Sequence, residues 1–241
     1  MERQCFIELL YKTFEENGMK DLLNNESADL LYRFADLLVE TNKHTNLTAI
    51  TDEKGIILKH FADSATISSH IPQGASVLDV GCGAGFPSVP LAIIRKDLAI
   101  TSLDSTGKKI DFVLSAKGKL GIDNLNAVCA RAEEYATLNR ERFDVCTSRA
   151  VARLNILSEL CIPFIKVGGL FVAMKSDKGA EEAKEAEGGV TKLGAATHGI
   201  FEYRLTCAEM AVDREIRIYK KIASTTKQYP RKYSQILKKP L

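Results

Sequence analysis

Short apolar segments alternate with segments of helical periodicity along most of the chain after Pro72-Gln73-Gly74. Apolar runs of this length predict buried strands, and apolar residues at three- and four-residue spacing predict helices that pack on them. The predicted strands are 76–80, 100–103, 125–129, 143–147 and 170–174, and the predicted helices are 89–94, 108–120 and 151–165, the last ended by Gly168-Gly169. This alternation predicts an α/β fold with a mostly parallel, doubly wound, Rossmann-like sheet.

Both ends of the chain depart from this alternation. Residues 201–205 and 216–222 alternate apolar and polar positions without a helix between them, which predicts a terminal antiparallel hairpin. Helices are predicted at 2–16 and 27–44, with Ser27 as the N-cap of the second. We therefore expect a small N-terminal helical cap over residues 1–50 and a Rossmann-like domain over 51–241. Residues 176–199 predict a solvated helix followed by a mobile loop.

Composition narrows the class of protein. The chain has 241 residues, 45% hydrophobic and 27% charged, which suits one large domain with a small appendage and disfavours disorder or a coiled coil. There is no run of about 18 apolar residues, so a cytoplasmic protein without a membrane span is expected. The six cysteines include no CxxC pair, which predicts neither a metal site nor a disulfide framework. Nothing in the sequence indicates an obligate oligomer.

Charge is distributed unevenly although the net charge is only +2. Residues 1–30 hold seven acids and three basic residues, whereas residues 216–241 hold eight basic residues and no acid. A basic C-terminal tail can be attracted to a phosphate backbone. A solvated, frayed terminus explains the same charges, so the tail leaves both interpretations open.

A glycine-rich turn follows the first predicted strand: Asp79-Val80-Gly81-Cys82-Gly83-Ala84-Gly85. Open parallel sheets bind ligands at the carboxyl ends of their strands, and glycines let the backbone turn sharply and approach a ligand closely. The G-x-G-x-G spacing differs from the dinucleotide pattern G-x-G-x-x-G. Asp104 ends the second strand about 20 residues later, where an acid accepts hydrogen bonds from a ribose diol. These features predict a site for a ribose-containing cofactor.

The segment 78–85 resembles the first motif of class I S-adenosylmethionine-dependent methyltransferases. More specifically, the chain resembles the RsmG (GidB) family, bacterial 16S ribosomal RNA guanine-N7 methyltransferases. The resemblance covers nearly the whole chain, through Asn46-Leu47-Thr48, His60-Phe61-Ala62-Asp63-Ser64, Gly81 to Pro87, Leu103-Asp104-Ser105, Ala130-Arg131-Ala132-Glu133-Glu134, Thr147-Ser148-Arg149-Ala150 and Tyr229-Pro230-Arg231-Lys232. It implies S-adenosylmethionine as cofactor and 16S rRNA or the small ribosomal subunit as partner.

The resemblance also implies roles for individual residues. The expected cofactor-binding residues are Asp79, Gly81, Gly83, Phe86, Asp104, Ser105, Ala132, Glu133 and Arg149, of which Asp104 and Ser105 would hold the ribose. Asn46, Arg131 and Arg149 are expected to be catalytic residues on the substrate side, with Arg131 or Arg149 holding guanine O6 or a flanking phosphate. Guanine N7 already presents a lone pair, so in-line methyl transfer needs alignment and exclusion of water rather than a general base.

Several of these residues have simpler interpretations. Phe86 is also a plausible core residue, Glu133 a helix-start charge, Asn46 a helix C-cap and His60 a packed side chain. For Arg149 the simpler interpretation is an ion pair with Asp144 or Asp104. Lys108, Lys109 and Lys175 lie where they could meet phosphates, although an ordinary charged surface explains them equally well.

Other reactions and functions compete with this interpretation. Methylation of an amino group is disfavoured because Thr147-Ser148-Arg149-Ala150 lacks the proline-rich turn of such enzymes. Carbon-5 pyrimidine methylation needs a cysteine nucleophile, and Cys146 has no Pro-Cys setting, so Cys146→Ser should stay active. A methyltransferase for a small molecule, an NAD-binding oxidoreductase and a non-enzymatic cofactor-binding module remain as alternatives.

Overall fold

Seven strands form one sheet in the computed structural model, which describes residues 2–149, 152–175 and 179–241. In chain order the strands are β1 Ser76–Val80, β2 Ala99–Asp104, β3 Leu125–Cys129, β4 Phe143–Arg149, β5 Ile165–Lys175, β6 Ala195–Cys207 and β7 Met210–Lys221. Their spatial order is β3-β2-β1-β4-β5-β7-β6. Strands β1 to β5 pair in parallel, and β7 is antiparallel to both of its neighbours. The predicted parallel sheet with a terminal antiparallel hairpin is confirmed.

Helices cover both faces of this sheet. They are α1 Arg3–Glu16, α2 Asn25–Asn42, α3 Glu53–Gly55, α4 Asp63–Ala65, α5 Ser88–Ile94, α6 Gly107–Leu120, α7 Ala132–Asn139, α8 Leu154–Cys161, α9 Gly179–Lys192 and α10 Tyr233–Lys238. A π-helical segment, Ile56–Ala62, joins α3 to α4, and a 3₁₀ turn, Thr66–His70, follows α4. One hydrophobic cluster contains side chains of α1, α2, α5 and α6, and a second contains side chains of α7, α8 and α9. Among the described residues, no helix is long and apolar enough to cross a bilayer.

An aromatic cluster joins the N-terminal helices to the glycine turn. The Phe34 ring lies 5.5 Å from the Phe86 ring, 5.9 Å from Phe112 and 6.1 Å from Phe61, and Phe6 lies 6.4 Å from Phe61. Aromatic pairs at such distances contribute about 0.5–1.5 kcal/mol each beyond the burial of their area. Helices α1 and α2 therefore support the floor of the turn, while the predicted domain boundary at residue 50 stays a prediction.

The predicted start of α2 was wrong by two residues. Helix α2 begins at Asn25, with Asn24 as its N-cap. The Ser27 backbone N–H donates to Asn24 Oδ1 at 2.9 Å, and the Asn24 N–H donates to Ser27 Oγ at 2.8 Å. Ser27 is thus the third helical residue of a reciprocal capping box. The helix ends at Asn42, before the predicted end at residue 44.

The helix predicted over 151–165 is shorter than expected, and Gly168-Gly169 does not end it. Helix α8 ends at Cys161, and β5 already begins at Ile165 and runs through both glycines. A Cβ on Gly169 would lie 2.4 Å from the Asp144 carbonyl oxygen, so glycine here permits close approach of β4. Ala150 and Val151 lie outside the described residues.

The region predicted as a solvated helix and mobile loop over 176–199 is more ordered than that. Ala186 and Val190 of α9 and the following Leu193 are buried against the sheet, and β6 starts at Ala195. These apolar residues recur at four- and three-residue spacing, which is an amphipathic pattern hidden among glycine and alanine. Residues 176–178 lie outside the described part of the chain.

Candidate functional site

The glycine turn after β1 has a conformation that only glycine adopts easily. Gly81, Gly83 and Gly85 have φ values of +74°, +58° and +88°. The Gly81 and Cys82 N–H groups donate to the Leu103 carbonyl at 2.7 and 3.1 Å, which ties the turn to β2. A Cβ on Gly85 would lie 2.4 Å from Val89 Cγ2, whereas one on Gly83 would meet open space. The turn therefore packs on one side and is open on the other.

The Asp104 carboxylate lies beside this turn at the end of β2. Its Oδ2 accepts a hydrogen bond from the Gly83 N–H at 3.0 Å, and its Oδ1 accepts from the Thr106 N–H at 2.9 Å. Lys109 Nζ is 3.9 Å from Oδ2. Each carboxylate oxygen keeps a further lone pair for a ligand hydroxyl. The geometry fits an acid that is held by backbone N–H groups and binds a ribose diol.

A cavity of about 490 Å³ opens at the carboxyl edge of β1 to β4. Most of the predicted site residues line it, namely Gly81, Gly83, Phe86, Asp104, Ser105, Arg131, Ala132, Glu133 and Arg149. Leu47, Thr48, His60 and Tyr233 also line it, although the sequence analysis assigned them no site role. Asn46 and Asp79 are not among its lining residues.

Asp79 is fully buried at the end of β1, next to this cavity. Its Oδ2 accepts from the Ser88 N–H at 3.2 Å, while Oδ1 has no hydrogen-bond partner among the described residues. Burial raises the pKa of Asp79 to about 7. Buried carboxylate oxygens are nearly always paired, so this one fits a cationic or donor group of a bound ligand. The α-ammonium group of S-adenosylmethionine is such a group.

Arg149 ends β4 and forms its ion pair with Asp63, not with Asp144 or Asp104 as the simpler interpretation proposed. Its Nη1 donates to Asp63 Oδ2 at 3.1 Å and to the Lys59 carbonyl at 2.8 Å. The guanidinium lies 5.2 Å from the centre of the Phe86 ring. Arg149 therefore joins the π-helical segment to the end of the sheet and forms a wall of the cavity.

His60 and Phe86 form a stacked pair beneath the cavity. Their ring centres are 4.1 Å apart at 14°, and both side chains are buried. Burial and the Arg149 charge lower the pKa of His60 to about 3, so the imidazole is neutral. Phe86 is thus a core residue that also lines the cavity, and His60 is packed as its simpler interpretation predicted.

The loop between α2 and α3 brings Leu47 and Thr48 to the cavity and leaves Asn46 exposed. The Asn42 side chain fixes this loop through three hydrogen bonds to its backbone. Its Oδ1 accepts from the Leu47 and Thr48 N–H groups at 2.6 and 3.0 Å, and its Nδ2 donates to the Thr48 carbonyl at 2.9 Å. Asn46 does not cap α2, whose C-cap is Lys43. The Asn-Leu-Thr motif identified the right segment, and the role of Asn46 stays a prediction.

The C-terminal tail is anchored rather than frayed. The Arg231 side chain donates to the fully buried Glu159 carboxylate from Nε, at 2.9 Å to Oε1 and 3.2 Å to Oε2, and from Nη2, at 2.5 Å to Oε2. Arg140 donates to the carbonyls of Thr225 and Tyr229. These bonds place Tyr233 at the rim of the cavity, where the Arg131 guanidinium lies 5.7 Å from its ring centre.

The structure also describes three further residues that the sequence analysis considered, Lys175, Lys108 and Cys146. The Lys175 side chain is 8% exposed and pairs with Glu182 at 2.6 Å, so it is neither an exposed surface charge nor a free cation for a phosphate. Lys108 is exposed at the start of α6. Cys146 is buried outside the cavity lining, and burial raises the pKa of its thiol well above the usual value. A buried thiol of this kind is a poor nucleophile. Within the described residues, no group of three metal-ligating side chains occurs.

The sheet order, the glycine turn and the acid at the end of β2 define the class I S-adenosylmethionine-dependent methyltransferase fold. The solved structures that are similar to the chain include two methyltransferase-fold examples with bound or co-crystallised cofactor forms. One is M. jannaschii TYW2 in complex with AdoMet, with a TM-score of 0.53, 13% identity and coverage of 67% of this chain and 75% of that one. The other is geranyl diphosphate C-methyltransferase from Streptomyces coelicolor, with a TM-score of 0.52, 14% identity and coverage of 67% and 79%. At these identities the likeness concerns the fold alone.

Sequence comparison identifies the family. The family model described as rRNA small subunit methyltransferase G (GidB) matches residues 27–210. Proteins named ribosomal RNA small subunit methyltransferase G are similar over nearly the full length: 43% identical in Staphylococcus haemolyticus, covering 98% of both chains, and 44% in Lysinibacillus sphaericus, covering 96% of both. The chain belongs to the rRNA small subunit methyltransferase G family.

Proposed function

We propose that this methyltransferase transfers the methyl group of S-adenosylmethionine to N7 of a guanine in 16S rRNA of the small ribosomal subunit. The observation that carries the cofactor assignment is a pair of acids beside the glycine turn: Asp104, which lines the cavity and suits a ribose diol, and Asp79, which is buried behind the lining and whose unpaired Oδ1 suits an ammonium group. The names of the full-length relatives support the RNA substrate. Such a substrate would place the protein in the cytoplasm.

The cofactor would lie along the carboxyl edge of the strands. Of the lining residues, Asp104 and Ser105 would hold the ribose, and Ala132 and Glu133 after β3 would contact the adenine. Asp79, behind the lining, would hold the ammonium group through its unpaired Oδ1. The open face of Gly83 lets the backbone approach the ligand. When bound, the cofactor supplies a methyl group on a sulfonium ion.

The chain's own contribution is alignment and exclusion of water. Holding two reactants in line can supply about 7–11 kcal/mol of barrier reduction. Phe86 and Leu47 give the cavity an apolar wall. Exposed Arg131 at the rim suits a flanking phosphate, whereas Arg149, which already donates to Asp63 and Lys59, suits a fixed positive wall. We assign residues 1–50 to a cap that supports this site and 51–241 to the methyltransferase domain.

Transfer of labelled methyl groups to unmethylated small-subunit rRNA, followed by nucleoside analysis, tests the proposal. We expect label in 7-methylguanosine. Label in another nucleoside would refute the N7 assignment. Label only in small molecules would favour the alternative methyltransferase, and titration with NAD in place of S-adenosylmethionine would detect an oxidoreductase. Ala variants of Asn46 and Arg131 should then reduce transfer without abolishing cofactor binding.

The basic tail should bind the RNA backbone beside the cavity. Lys232, Lys238 and Lys239 are exposed on and around α10, whose Tyr233 reaches the cavity rim. Replacing all three with glutamine should weaken RNA binding and lower the slope of log affinity against log salt by up to about 0.7–0.9 per lost phosphate contact. S-adenosylmethionine affinity should not change. The measurement is a binding titration at several salt concentrations.

A matched control is the triple Gln variant of Lys96, Lys119 and Lys166. Lys96 and Lys119 precede β2 and β3, and Lys166 is the second residue of β5, so all three belong to the opposite, amino-terminal edge of the parallel strands. This variant removes the same charge and should keep a larger share of the salt dependence. Equal losses in both variants would mean that only the net charge matters.

A further inference from the structure

Thr48 belongs to a chain of hydrogen bonds that begins at a buried carboxylate and ends at the cavity. Asp63, which is 3% exposed, binds Arg149, and Arg149 Nη2 lies 3.2 Å from His60 Nδ1. On the other side of the imidazole, Nε2 lies 3.0 Å from Thr48 Oγ1. Among these residues, Arg149, His60 and Thr48 line the cavity. The order of donors along this chain fixes the direction of each hydrogen bond.

An arginine side chain only donates, so His60 Nδ1 accepts from Arg149. The imidazole is neutral, because burial and the nearby guanidinium lower its pKa to about 3. Its single proton is therefore on Nε2 and is donated to Thr48 Oγ1. The Ile50 backbone N–H donates to the same oxygen at 3.1 Å.

Both acceptor positions of the Thr48 hydroxyl are thus occupied, which leaves its O–H hydrogen as a donor. No described residue accepts this hydrogen in a recorded bond. The Thr48 backbone is fixed by Asn42, whose amide bonds both its N–H and its carbonyl. Thr48, which lines the cavity, therefore has a hydroxyl whose hydrogen is left to donate to a ligand.

The position of Thr48 indicates which ligand it meets. Asp104 ends β2 and Ala132 follows β3, so the adenosine of the cofactor belongs over that half of the sheet edge. Thr48, His60, Phe86 and Arg149 bound the other half, on the β4 side, where the methyl group and the target base would meet. In guanine, N7 and the O6 acceptor lie on the same edge, whereas adenine carries an amino donor at C6.

We propose that Thr48 is a specificity-determining residue whose hydroxyl donates to O6 of the target guanine and disfavours purines with an amino group at C6. The inference rests on the proposed function. A donor that meets an amino group leaves both without an acceptor, and sites built on such bonds reject the wrong group strongly.

The test compares Thr48→Val, Thr48→Ser and the wild-type protein. The substrates are RNA oligonucleotides that span the methylated guanine, in which the target is guanine or 2,6-diaminopurine, a base that keeps N7 and carries an amino group in place of O6. We expect Thr48→Val to lower kcat/KM for guanine about tenfold and to reduce the preference for guanine over diaminopurine by a similar factor. Thr48→Ser keeps the hydroxyl and should restore both.

Two further variants separate positioning from folding. His60→Asn keeps an amide oxygen near the place of Nδ1 and removes the donor at Nε2, so the Thr48 hydroxyl can rotate and the base preference should fall while cofactor binding persists. Thr51→Val makes the same chemical change in the same loop at an exposed residue outside the cavity lining, and should leave the preference unchanged.

Three outcomes would overturn the proposal. An unchanged base preference in Thr48→Val would show that Thr48 does not read the base. A weaker S-adenosylmethionine affinity with the same preference would show that the hydroxyl faces the cofactor. Absence of methyl transfer by the wild-type protein would refute the proposed function and this inference together, and that result is seen before any variant is made.

Discussion

Replacing Asp79 with asparagine will weaken S-adenosylmethionine binding by about 10- to 100-fold, because a hydrogen bond to a charged group contributes about 1.5–3 kcal/mol. The side chain keeps its size, and its oxygen can still accept from the Ser88 N–H. What is lost is the negative charge on the buried oxygen that has no partner in the described chain. Calorimetric titration measures the change, and methyl transfer should fall in parallel at limiting cofactor.

The pH dependence of binding provides a second readout for Asp79. Since its pKa is raised to about 7, the carboxyl is largely protonated below that pH, and the ligand must displace the proton. Wild-type affinity should fall by up to about tenfold for each pH unit below 7, where the α-ammonium group stays charged. The asparagine variant should lack this dependence. Asp111→Asn, on an exposed position of α6, is the control.

The free energy of unfolding should change with pH in the opposite direction to the cofactor affinity. A carboxyl whose pKa is higher in the folded than in the unfolded protein binds its proton more tightly when folded, so folding stability falls as pH rises from about 4 to about 7. Asparagine carries no charge at any of these pH values. The melting temperature of Asp79→Asn relative to wild type should therefore rise across this window. Equal cofactor affinity in the two proteins, at all pH values, would contradict the assigned role.

Arg149→Met will cause the largest combined loss of activity and stability. The variant leaves the Asp63 carboxylate, 4% exposed, with Arg214 as its remaining recorded cation, and breaking a buried pair costs about 3–5 kcal/mol. The contacts to Lys59, His60 and the Phe86 ring are lost as well. We expect a large fall in the free energy of unfolding, measured in urea, and a loss of methyl transfer of about 100-fold or more.

Two companion variants separate these effects. Arg214→Met removes the other partner of Asp63, at 3.2 Å, but Arg214 does not line the cavity, so stability should fall while cofactor affinity persists. The double variant Arg149→Met with Asp63→Asn removes both charges and should recover much of the stability without recovering activity. If Arg149→Met folds normally and keeps more than half of its activity, Arg149 is neither a structural nor a functional part of the site.

The sheet was predictable because each strand is marked by a short apolar run that can be read from neighbouring residues alone. The strand 76–80 is a mostly apolar run that ends in a glycine turn, and Asp104 follows about 20 residues later, so the fold and the proposed ribose contact of Asp104 were both predictable from spacing. The proposed cofactor contacts of Ser105 and of the residues after β3 and β4 came from the resemblance to a known family, and the parallel sheet brings these residues to the same edge as Asp104.

The helical stretch that supports the substrate side was not predictable in this way. Within Ile56–Ala62 and α4, buried apolar residues stand beside buried His60, Asp63 and Ser64, so no amphipathic period marks the segment. The partner of Arg149 lies 86 positions earlier in the chain, and no local pattern connects the two. Likewise, the position of Tyr233 at the cavity depends on a bond between Arg231 and Glu159, 72 residues apart.

The anchoring of Arg231 has a mechanical consequence. Because Glu159 belongs to α8 and is fully buried, its bonds to Arg231 fix the start of the lysine-bearing segment to the body of the domain. If this segment binds RNA as we propose, it would hold the bound strand at a set distance and angle from the cavity mouth. The same anchor would then serve both RNA binding and positioning of the target nucleotide. Loosening it would misplace that nucleotide even if the affinity for RNA were unchanged.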